Sequence, residues 1–120
     1  MTNNSNKITH SLRGILEKEK LTGSNFSSWY RNLRIVLRQE RKLHTIDDLI
    51  PAEPVEDAPL AEHQAYKKLS DEAEDVACLI LAIVSEELQS QLKKMVAKDM
   101  IEHLKGRFEG NRRQDRIDMN

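Results

Sequence analysis

Arg31, Arg34, Arg38 and Arg41 recur at i, i+3, i+7 and i+10. On a helix that spacing sets four guanidinium groups in a row beside one another. Each is a planar fork of donors matched to phosphate oxygens, so the chemistry on offer is a phosphate or RNA contact, although a solvated helix face accounts for the row nearly as well. Lys105, Arg107, Arg112, Arg113 and Arg116 form a second basic group towards the C-terminal end. Opposing both is the acidic stretch 47–75, ten carboxylates against Lys67 and Lys68, which can itself partner the arginine row.

Other chemistries find less support. Asp71 and Asp75 share a helix face at i, i+4, beside Glu72 and Glu74, and suggest acid/base work or a metal site. Lys67 and Lys68 stand four residues before Asp71 and Glu72, the spacing of ordinary exposed ion pairs, and a solvated face is the better reading. His10, His44, His63 and His103 lack the spacing of paired ligands and have a single cysteine to join, so neither metal nor cofactor is expected. Cys78 lies within the apolar run Val76–Val84 and is expected to be buried, raised in pKa and inert. The four glycines stand singly at 14, 23, 106 and 110, so no phosphate-cradling loop exists. Phe26, Trp29 and Tyr30 could stack on bases, but at helical spacing beside Leu33 and Val36 they read as core. Catalysis is not expected.

The elements that position these residues must fit in 120 residues and 13.9 kDa, the size of one domain. Charged residues are 32% and hydrophobic ones 38%, enough for a modest helical core. Nineteen basic and twenty acidic residues leave a net charge of −1, so any nucleic-acid role must rest on local patches. A single cysteine excludes an internal disulfide and suits a reducing compartment. The opening MTNNSNKITH lacks a secretory apolar stretch, and the longest apolar run has nine residues where a membrane span needs ~17–25. The expectation is a soluble chain of the cytoplasm or nucleus with no membrane partner.

Residues 1–10 read as a flexible tail and 11–110 as the helical domain. Leu12, Ile15 and Leu16 suggest a short helix, ended by a turn at Gly23 and followed by a cap at Ser24 or Asn25. Over 25–42, Phe26, Trp29, Tyr30, Leu33, Val36 and Leu37 fall on one stripe, with Ile35 on the opposite side. Pro51, Pro54 and Pro59 make 43–59 an acidic connection. A long helix runs from Pro59 to Val84, apolar all round over its last nine residues and so expected to be buried on every side. Ser85 caps a helix over 86–94, and Met100, Ile101, Leu104 and Phe108 mark another over 97–109. Residues 111–120 read as a basic tail or the start of a truncated helix. The fold class is all-α, a compact bundle of four to five helices, with Tyr66, Leu69, Val76, Ile80, Ile83, Leu88 and Leu92 completing the core.

One segment carries a family resemblance. Leu21-Thr22-Gly23-Ser24-Asn25-Phe26-Ser27-Ser28-Trp29 resembles the L-x-G-x-N-F/Y-x-x-W signature opening the capsid region of copia-type LTR retrotransposon Gag polyproteins, especially those of plants. Tyr30–Leu37, Ala65–Lys68, Cys78–Ala82, Ser85–Gln89 and Met100–Leu104 resemble successive blocks of the same region in order, so the likeness covers about residues 12–116. The resemblance implies an all-helical capsid module that self-associates into particles around element RNA and has no catalysis of its own. Its signature residues here are Leu21, Gly23, Asn25, Phe26 and Trp29. The family's zinc knuckle, C-x2-C-x4-H-x4-C, and the Asp-Thr/Ser-Gly of its protease are both missing, so the chain is similar to the front part of a Gag. Two functional expectations follow: self-association, with Ile35 as the contact residue, or nucleic-acid binding through Arg31, Arg34, Arg38 and Arg41 with Arg112, Arg113 and Arg116.

Overall fold

In a computed structural model of the chain, residues 12–118 are described, with the side chains of 12–109. The fold is all-α. Six helices occur among the described residues: α1 (12–18), α2 (Phe26–Gln39), α3 (His44–Asp47), α4 (Leu60–Ala82), α5 (Glu86–Leu92) and α6 (Ala97–Asp118). The helix beyond the expected five is α3, a single turn inside the connection 43–59. The backbone of α6 continues past Gly110 to Asp118. No strand forms among the described residues, only an isolated parallel bridge between Leu21 and Val84. Nor is any helix there long and apolar enough to cross a membrane.

One core joins all of this. The inner stripe of α2 (Phe26, Trp29, Leu33, Val36, Leu37) meets Val76 and Ile80 of α4, Leu88 and Leu92 of α5, and Met100, Ile101 and Leu104 of α6, with Leu16 and Leu21 closing one end. Apolar residues at helical spacing can all leave water together on one face, which is the main favourable term in such a fold. α3 packs on both α4 and α6, and α4 on α6.

The signature residues form one junction. Leu21 is fully buried; its N–H donates to Ile83 O at 3.0 Å, and its carbonyl accepts from Ser85 N–H at 3.0 Å. The Trp29 indole Nε1 donates to the same Ile83 carbonyl at 2.9 Å, so the start of α2 is welded to the end of α4. Gly23 turns at φ 130°, a backbone conformation that strains any other residue, and a Cβ there would also press on the Phe108 ring at 3.1 Å. The ring of Phe26 stacks with those of Trp29 and Tyr30 and lies tilted against Phe108.

Several local expectations are corrected. Asn25 occupies the N-cap position of α2 without a side-chain cap; its Oδ1 accepts from Thr22 N–H and its Nδ2 donates to Lys20 O, bracing the preceding turn instead. Ser85 does cap α5, accepting from Leu88 N–H. α2 stops at Gln39 rather than 42. Arg41 N–H bonds to Arg38 O and Lys42 N–H to Leu37 O, the paired bonds of a Schellman ending, with Arg41 itself at φ 60°. The run Val76–Val84 is not buried all round: Cys78 and Ala82 are exposed and Leu79 and Leu81 half-buried, because α4 lies on the surface and shows solvent one side. Tyr30, Tyr66, Leu69 and Phe108 are half-buried rather than buried, and Ile15 is exposed.

Candidate functional site

The surface with most chemical character is the outer face of α2. Since the inner stripe occupies the core, the residues between its members must face out, and Arg31, Ile35 and Arg38 do so. Ile35 is 44% exposed, the one large aliphatic residue on the outer face of α2. It lies in a depression of about 350 Å³ with Arg31, Arg34, Arg38, Tyr30 and Leu43 around it.

The four arginines do not act alike. Arg34 is engaged by its own chain: its Nη1 and Nη2 donate to the two Asp47 carboxylate oxygens at 2.8 and 3.1 Å, and Nη1 also donates to Tyr30 Oη at 3.0 Å. The pair bonds α2 to α3. The Asp47 hydrogen bonds raise the Arg34 pKa, and those from Arg34 hold the Asp47 carboxyl below the usual carboxylate range. Arg34 and Lys105 also approach the Tyr30 ring, 5.5 and 5.1 Å from its centroid. Arg31 and Arg38 have no ion-pair partner among the described residues, and Arg41 leaves the row where the helix ends. The row therefore reduces to two unpaired guanidinium groups flanking Ile35. Arg112, Arg113 and Arg116 fall on the helical backbone of α6, and their side chains lie outside the described residues.

From sequence, the connection is expected to lie along the helices, anchored by Leu43, Ile46, Leu49 and Ile50, but not to shape the site. Leu43 lines the depression and Asp47 bonds Arg34 beside it, both from a segment that reads as a connection rather than as an element. The acidic stretch only partly answers the arginines: Asp47 takes Arg34, while Asp71 pairs with Lys67, Asp75 with Lys42 and Glu72 with His44.

A larger concavity of about 580 Å³ lies between α4, residues 49–53 and the α5–α6 connection, lined by apolar residues such as Leu49, Tyr66 and Val96 and by charges of both signs, among them Lys93, Lys98 and Asp99. Among the described residues no three His, Cys, Asp or Glu side chains converge as metal ligands would. Cys78 is exposed rather than buried. Partial loss of water, the Glu74 carboxylate that accepts its S–H at 3.6 Å, and the charge of Asp75 push the thiol above its ordinary value.

Comparison with known proteins finds no matching family model, curated protein or solved structure.

Proposed function

We propose that the chain is a capsid-like structural module of the copia-type Gag kind, acting by self-association rather than by catalysis. The observation that carries this reading is Ile35, a large apolar residue exposed at the centre of a depression on a helix whose opposite face is fully used in the core. Covering such a residue together with the apolar lining beside it is favourable, and a second copy is the partner the resemblance implies. The all-α fold and the assembly of Leu21, Gly23, Asn25, Phe26 and Trp29 at one junction support it.

Sedimentation velocity over a wide concentration range tests it. The parent chain should show weak, concentration-dependent association and Ile35→Lys should not. A parent that stays monomeric to millimolar concentration at low and high salt would rule the function out.

A second reading, RNA contact, is favoured by the unpaired guanidinium groups of Arg31 and Arg38. It predicts that Arg31→Glu with Arg38→Glu abolishes a low-salt RNA shift, which should in any case fade steeply as salt rises. Arg34 is unsuitable for that test, since reversing its charge would also break the bond between α2 and α3.

A further inference from the structure

Resting on the self-association reading, we infer that the contact is head to tail: the acidic turn 53–57 of one copy seats Val55 in the depression beside Ile35 of the next. Glu53, Glu56 and Asp57 then meet Arg31 and Arg38.

The α2 face cannot easily meet itself. A two-fold contact would press Arg31 and Arg38 of one copy towards those of the other, and like charges brought together at an interface are unfavourable. The complement must lie elsewhere on the chain and should be acidic, exposed, apolar at its centre and not engaged internally. The turn 53–57 meets each condition. Val55 is 69% exposed, and Glu53, Glu56 and Asp57 are exposed without an ion pair among the described residues. Asp71, Asp75, Glu72, Glu87 and Glu102 are each already committed to a base, and the turn is where three unpaired carboxylates surround one exposed apolar side chain.

The turn is also preformed. Ala58 N–H donates to Val55 O at 2.9 Å, and Pro54 and Pro59 flank it, so little freedom is lost on docking. One turn against one helix covers less than the ~1,200–2,000 Å² of a standard stable interface, which makes the contact weak. Because its two surfaces differ, a pair of copies still has one of each free, and association grows into chains or rings rather than stopping at a dimer.

Sedimentation velocity at low salt on Ile35→Lys, Val55→Lys and their equimolar mixture separates the possibilities. Ile35→Lys retains the turn and Val55→Lys retains the depression; both sites are exposed, and circular dichroism should confirm unchanged helicity. Each variant alone should be monomeric, while the mixture should form a 1:1 heterodimer and nothing larger. A chain carrying Arg31→Glu, Arg38→Glu, Glu53→Lys and Glu56→Lys together should regain association that either half of the set abolishes. If the parent associates but Val55→Lys associates equally well, or the mixture stays monomeric, the head-to-tail contact is wrong and self-association stands. If the parent itself never associates, both fall. Val55→Lys associating like the parent, together with an RNA shift that needs Arg31 and Arg38, overturns the contact in favour of the nucleic-acid role of that face.

Discussion

Arg41 holds the left-handed conformation that closes α2, at φ 60°, without the freedom of glycine. Its Cβ crowds the backbone there at a cost of about 1–2 kcal/mol. Its side chain makes no ion pair among the described residues, so little is lost by removing it. Arg41→Gly should therefore raise stability by about 1 kcal/mol, read as a melting-temperature increase of ~4–8 °C. Cys78 makes the opposite point about sequence context. Lying in an apolar run did not bury it, because α4 turns that position towards solvent. The folded chain should therefore react with one equivalent of a thiol reagent without denaturant. Its rate should rise at a pH above that of a free cysteine, since lost water and the Glu74 and Asp75 carboxylates disfavour the thiolate. Cys78→Ser should change stability by less than about 0.5 kcal/mol.

Between elements, the Arg34–Asp47 pair is the clearest polar link, tying α2 to α3. Its folded carboxyl has a lowered pKa, so the stability it adds is present above the unfolded value of ~3.9 and is lost as pH falls through the folded one. Side-chain exposures of 36% and 38% leave both partners well solvated, which limits the effect to about 1 kcal/mol or less. Asp47→Asn should cost that much in urea unfolding at pH 7, and the gap to the parent should close below the carboxylate range. The sequence offers the acidic stretch 47–75 as a partner for the arginine row, but not which carboxylate meets which arginine, because Arg34 and Asp47 lie thirteen apart on either side of a helix ending. The helices themselves were legible where burial is one-sided. The α2 stripe and the Ser85 cap follow from spacing and residue type alone. The end of α4 was misread since Cys78 and Ala82 are small enough to sit on a surface while counting as apolar. Of the candidate site, Ile35 and the arginine spacing could be read directly; Leu43 could be read as an anchor of the connection and Asp47 as one of the acids facing the arginines, but not their places beside Ile35 and Arg34.

Across the whole molecule, the unpaired bases Arg31 and Arg38 stand on one helix and the unpaired acids Glu53, Glu56 and Asp57 on a turn outside the helices. A net charge of −1 conceals that division. Association through it should weaken between low and high salt, as the Debye length shortens from ~30 Å at 0.01 M to ~3 Å at 1 M. The Ile83 carbonyl organises the molecule in a different way. It accepts from both Leu21 N–H and the Trp29 indole, the latter 54 residues away in sequence, and Leu21 O in turn accepts from Ser85 N–H. Leu21 and Ser85 belong to no helix, yet their amide protons can be released only when the start of α2 parts from the end of α4. In native-state hydrogen exchange both should behave as clocks for the opening of the entire core, trading their protons as slowly as the amide of buried Leu33 and far more slowly than the exposed turn at Glu56.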